Sequence, residues 1–150
     1  PDKNLKMIYV SLFIVAFTVA TIIPFGSEAY FITLLSLGEY NNLLLLIFVS
    51  VGNVFGSLFN WICGFYINYF IKKSWFPINN KMIERGNKIF SKYGKWSLLF
   101  SWVPLIGDPI TFAAGTLRYP IISFLVLVSI GKVGRYLIIY LSIVWAINIF

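Results

Sequence analysis

Histidine is absent from the 150-residue chain, cysteine occurs once, and only five residues are acidic. Each shortage excludes a chemistry. With no histidine and Cys63 as the sole thiol, the parts for a zinc site, a histidine-ligated haem or a Ser–His–Asp triad are missing. A lone cysteine also leaves no disulfide framework. Neither an activated nucleophile nor a metal cluster can be assembled, so no catalytic residue, metal or cofactor is expected, and an enzyme is the least expected class.

Apolar residues are what the chain has in excess. Hydrophobic residues make up 59% and charged residues 11%, with a mean hydropathy of +0.86. Soluble domains hold about 45–50% and 25% respectively, so lipid is the expected solvent. The length suits a single domain over residues 1–150. Residues 43–71 and 121–150 both exceed the roughly 20 residues that span hydrocarbon, and neither contains an acid. The first would be roughly 43 Å long and must tilt or extend past the core. Residues 7–23 do not read as a signal peptide, because Ile22–Ile23–Pro24–Phe25 offers no small-residue cleavage site.

The net charge of +7 is uneven. Lys72, Lys73, Lys81, Arg85, Lys88, Lys92 and Lys95 fall in residues 72–95 against one acid, Glu84. The positive-inside rule puts this connection in the cytoplasm. Between membrane segments, a solvated or headgroup-facing loop explains the cluster better than nucleic-acid binding, and no nucleic-acid partner is expected.

Breaks in the apolar runs suggest a duplication. Pro24–Phe25–Gly26 interrupts the run that starts at residue 5, and Ser27–Leu37 resumes it as a piece too short to span. Pro104–Leu105–Ile106–Gly107–Asp108–Pro109 interrupts residues 96–118, and Asn80–Tyr93 is mildly amphipathic. Pro24-x-x-x-Glu28 and Pro104-x-x-x-Asp108 share a pattern at an offset of 80. Val49–Ser50–Val51–Gly52–Asn53–Val54 matches Val128–Ser129–Ile130–Gly131–Lys132–Val133 at an offset of 79. Repeat 1 then covers about 5–71, the basic connection 72–95, and repeat 2 about 96–150. Each half reads as a hairpin broken at Pro24 and Gly26, or at Pro104, Gly107 and Pro109, followed by one spanning helix. One crossing per half inverts the second half relative to the first, which is the inverted-repeat plan. Lys3 and Lys6 would instead favour residues 5–23 crossing fully, and this alternative stays open.

An ionisable residue at the bilayer centre costs about 2.5–3.5 kcal/mol, so Glu28 and Asp108 need a partner or a function. Two readings coexist. The acids titrate or contact substrate, or they serve half-helix starts, where Ser27 and Asp108–Pro109 read as N-caps. Arg118, Lys132 and Arg135 are candidate counter-ions or headgroup contacts; Lys132 and Arg135 share a helix face. Asn53, Ser57, Asn60, Gly64 and Asn68 form a polar and small stripe beside Gly52 and Gly56. Helix packing is its default reading, and a hydrated path the other. Trp61, Trp75, Trp96, Trp102 and Trp145 lie mostly near segment ends, as in interfacial belts.

These residues resemble the DedA superfamily (the VTT or SNARE-associated domain), and its short YqaA-like subfamily most of all. The likeness runs from Pro24–Phe25–Gly26–Ser27–Glu28 through Gly52–Asn53-x-x-Gly56 to Ser101–Trp102–Val103–Pro104-x-x-Gly107–Asp108–Pro109. It continues through Ala113–Ala114–Gly115-x-x-Arg118 and Gly131–Lys132-x-x-Arg135–Tyr136. The resemblance implies a multi-pass inner-membrane protein with two opposed re-entrant hairpins, and Glu28 as the family's membrane-embedded acid. It also implies a link to lipid translocation, including polyprenyl-phosphate recycling and phospholipid scrambling, and to the proton-motive force. The chain departs from better-known members at the second hairpin, where Ser101 and Gly107 stand in place of arginines. The leading expectation is a lipid translocase whose partners are membrane lipids and, if coupled, protons. A proton-coupled small-ion transporter and a non-transporting scaffold are the alternatives.

Overall fold

The structure, a computed structural model, describes residues 2–20, 26–67 and 80–149. Pro24, Asn68, Lys72, Lys73 and the Trp75–Phe76–Pro77 turn lie outside the described residues. Among the described residues every regular element is helical. Helix α1 is Asp2–Val19, α2 is Ser27–Leu37 and α3 is Asn42–Phe65. Helix α4 is Asn80–Tyr93 and runs into a 3-10 segment, Gly94–Trp102, before α5, Gly107–Thr116, and α6, Ile121–Ile149.

Local chemistry sets these ends. Helix α2 stops where Gly38 turns left-handed (φ 67°) and donates its N–H to the Leu35 carbonyl. Helix α3 starts at Asn41, whose Oδ1 accepts from the Leu43 and Leu44 amides at 3.0 and 3.1 Å. Helix α5 ends in a Schellman motif: Tyr119 donates to Ala114 O at 2.8 Å and Arg118 to Gly115 O at 2.9 Å. Arg118 takes the left-handed position of that motif, with φ 51°.

Two helices, Asn42–Phe65 and Ile121–Ala146, are long and apolar enough to cross a hydrocarbon core. Their outer faces stay apolar: Phe55, Phe59, Ile122, Val126, Ile130, Ile138 and Trp145 are all exposed. A water-soluble monomer rarely shows so much contiguous apolar surface, and acyl chains are the solvent that suits it.

Helix α3 is the centre of the molecule, packed against α1, α5 and α6. The buried apolar residues form two clusters. Leu12, Ala16, Phe31, Leu34, Leu45 and Val49 close the first around Tyr136, which α6 contributes. Phe90, Leu98, Ile110, Ala113, Phe124 and Val128 form the second. Helix α4 takes part in this second core and packs along α5, so the last part of the basic connection is a docked helix rather than a free loop.

Glycines set the closest approaches. A Cβ on Gly52 would stand 2.6 Å from the Phe13 carbonyl oxygen, and one on Gly131 2.7 Å from that of Leu99. These glycines correspond at the offset of 79; Gly52 presses on α1 and Gly131 on the 3-10 segment. Trp61 departs from the belt expectation. Its indole donates to the Tyr119 carbonyl at 3.2 Å and its ring stacks on Phe65. Trp96, Trp102 and Trp145 are exposed.

Candidate functional site

The starts of α2 and α5 meet at one small cavity of about 30 Å³, room for roughly two water molecules. Glu28, Asp108, Lys132 and Arg135 all line it, with Ser27, Asn53, Ser101 and Pro104. The two acids, 80 residues apart in sequence, are brought to the same polar space.

Neither acid acts as an N-cap. The N-cap residues are Gly26 and Ile106, neither makes a side-chain cap bond, and Glu28 and Asp108 lie in the first turns. Ser27 does not cap either; its hydroxyl pairs with the Tyr136 hydroxyl at 2.8 Å. First-turn carboxylates are favoured by the positive end of the helix dipole, so the half-helices steady the acids while leaving their oxygens to the cavity.

Each acid has a cation from α6. Arg135 forms an ion pair with Glu28 and donates to the Trp102 carbonyl at 2.6 Å. Lys132 Nζ lies 3.9 Å from Asp108 Oδ1 and 3.5 Å from the Asn53 carbonyl. Lys132 is 4% exposed, so its ammonium depends on these two oxygens in place of water. Asn60 Nδ2 approaches Asp108 Oδ1 at 3.5 Å and donates to the Ala20 carbonyl at 3.1 Å, linking the residue after α1 to the first turn of α5.

The polar stripe of α3 serves two purposes. Gly64 packs against α5, while Asn53 and Asn60 are buried beside Lys132 and Asp108 and Ser57 is buried with its hydroxyl on the Asn53 carbonyl. Asn53 Nδ2 donates to the Tyr136 hydroxyl at 2.8 Å. Gly107 and Pro109 are buried beside Asp108, and a Cβ on Gly107 would overlap the Ser101 carbonyl. Arg118 is not brought to the acids. It is exposed, with its guanidinium 5.1 Å from the centre of the Phe65 ring.

Sequence reasoning missed Tyr136 and Ser101 as site residues. Tyr136 is buried and joins Ser27 to Asn53, tying α2, α3 and α6 together. Its spacing of four from Lys132 and its match to Ser57 at the offset of 79 were the available signals. Ser101 lines the cavity, its Oγ buried and without a hydrogen-bond partner among the described residues. Tyr136→Phe strands the Ser27 and Asn53 groups and is expected to cost about 1–3 kcal/mol. Tyr30→Phe is the control, since Ser11 keeps its bond to the Ile8 carbonyl there. Thermal unfolding in detergent checks this, and equal losses for the two variants would remove the bridging role.

An apolar groove of about 680 Å³ lies beside the cavity, between the 3-10 segment and α6. Leu99, Ile130, Ile138 and Ile139 line it, while Glu28, Trp102 and Arg135 border both spaces.

The chain is 33% identical over 131 residues to the inner membrane protein YqaA of Escherichia coli, covering 84% of each chain. The chain belongs to the YqaA-like family of the DedA superfamily. The YqaA of Shigella flexneri matches to the same extent. An uncharacterised Haemophilus influenzae protein is 33% identical over 139 residues, covering 87% of this chain and 85% of its own. No family model and no solved structure matches the chain. Membership of a YqaA-like family makes this an inner membrane protein and gives the apolar outer faces of α3 and α6 their solvent.

Proposed function

We propose that this YqaA-like protein translocates the anionic headgroups of membrane lipids or polyprenyl phosphates, without a chemical step. The observation that carries the reading is the charge balance of the cavity. Glu28 and Asp108 formally cancel Lys132 and Arg135 within one small, largely buried space. A phosphate reaching Arg135 or Lys132 must displace a carboxylate, and a displaced carboxylate in low dielectric needs a new partner. A proton is the smallest one available, which couples headgroup binding to proton uptake at Glu28 or Asp108.

The adjoining groove supports a lipid over a small ion, because an acyl chain can remain in apolar surroundings while its headgroup occupies the cavity. The frame of the proposal is a pair of inverted, re-entrant hairpins, with the basic connection on the cytoplasmic side and α1 as the first limb. Supporting it are the two acids in first turns at matching breaks and the matched glycine contacts of Gly52 and Gly131. Backbone broken at such depth is tolerated where it lines a polar cavity. Headgroup flipping in proteoliposomes tests the function. Glu28→Gln and Asp108→Asn are each expected to slow flux by about tenfold or more and to flatten its pH dependence. Parent-like flux in both variants would remove the role of the acids.

A further inference from the structure

Helix α4 carries a basic face beside an apolar notch, separate from the central cavity. Lys81, Arg85, Lys88 and Lys92 are spaced four, three and four residues apart, so they share one helix face, and all four are exposed. Glu84 is the only acid on the helix. The opposite face is pinned: Gly86 lies against the Pro109 carbonyl with no room for a Cβ, and Phe90 is in the second core. Between the basic face and the hairpin is an apolar notch of about 330 Å³. Ile89, Tyr93, Phe100, Val103, Ile106 and Ile110 line it. Lys92 Nζ sits 5.2 Å from the centre of the Tyr93 ring, which holds a cation at the notch's rim. Trp96 is 60% exposed with Lys95 over its ring, an amphipathic pairing that suits a membrane–water boundary.

We propose that the basic face of α4 and the notch beside it form a binding site for one anionic membrane lipid, headgroup on the cations and one acyl chain in the notch. Each feature alone would accept something else. A soluble phosphate or a nucleic acid would use the cations and leave the notch empty. A zwitterionic lipid would fill the notch without a net charge for the cations. An anionic amphiphile uses both, and a basic amphipathic helix is the element that lies in the headgroup plane. Val103, Ile106 and Ile110 flank Asp108 in sequence, so an acyl chain in the notch braces the hairpin that carries this acid. The site stands whether or not the protein transports anything.

Thermal unfolding of the intact chain in neutral detergent tests it, because a ligand bound only to the folded state raises the midpoint. The additives are a short-chain phosphatidylglycerol, the phosphatidylcholine of equal chain length, and glycerol phosphate. Phosphatidylglycerol is expected to act at roughly tenfold lower concentration than phosphatidylcholine, an advantage that added salt reduces. Glycerol phosphate is expected to leave the midpoint unchanged over the same range. The variant Lys81→Gln/Arg85→Gln/Lys88→Gln/Lys92→Gln keeps Lys132 and Arg135 and is expected to unfold as the parent does without lipid, yet lose the preference. No shift with phosphatidylglycerol, an equal response to glycerol phosphate, or a preference that persists in the variant would each overturn the site. Persistence would assign the effect to the central cavity.

Discussion

Gly115→Val is expected to prevent the chain from accumulating as a folded membrane protein. Helices α3 and α5 cross with their backbones in contact. A Cβ on Gly115 would overlap the Trp61 carbonyl, and one on Gly64 would overlap that of Phe112. Both obstacles are main chain, so no rotamer change relieves them. The helices must separate, at or above the roughly 3 kcal/mol upper end of ordinary overpacking. Separation also carries Asp108, on α5, away from Asn60 on α3. Gly134→Ala is the control, because nothing lies within 4 Å of its Cβ position. The measurement is the monodisperse yield after detergent extraction. A parent-like yield and unfolding midpoint for Gly115→Val would mean that α3 and α5 are not so closely crossed.

The second large effect concerns Lys132. Lys132→Met leaves Asp108 without its cation, and Asp108→Leu leaves a buried ammonium without its carboxylate. Breaking one side of a buried pair costs about 3–5 kcal/mol. The lower end applies to Lys132→Met, because the Asp108 side chain remains 29% exposed. Asp108→Leu is the more damaging change, since among the described residues Lys132 keeps only the Asn53 carbonyl. The double variant removes both charges and is expected to regain most of the lost stability, because an apolar pair of similar volume avoids the desolvation of both ions. Additive losses in the double variant would show that the two groups do not act as a pair. The rescued protein also separates two functional readings. A scaffold would keep its function once stable, whereas a headgroup translocase would stay inactive without its central charges.

Much of the fold was legible because apolar periodicity and helix punctuation are local. Helix α2 covers Ser27–Leu37, the short apolar piece that resumes after the first break, and the amphipathic stretch Asn80–Tyr93 of the basic connection is helical. The candidate residues were legible too, since a charge inside an apolar run stands out. Their partners were less so. Arg118 follows a conspicuous motif, yet it serves as the left-handed closing residue of α5 and stacks on Phe65. Ser27 looked like a helix cap, but the nearby Tyr136 hydroxyl takes its bond instead. Local rules describe a helix end facing solvent and do not foresee a partner from across the molecule.

Composition and order alone determined that the chain is helical and belongs in lipid, that two carboxylates sit at matching breaks, and that α6 carries their candidate cations. Only the folded chain decided that Arg135 takes Glu28 while Lys132 takes Asp108, and that Tyr136 joins α2 to α3. Only the folded chain set an apolar groove beside the polar cavity. The reason is range. Solvent preference and helix formation are properties of neighbouring residues, whereas pairing and cavity shape depend on how closely the glycines of α3, α5 and α6 let separate helices approach.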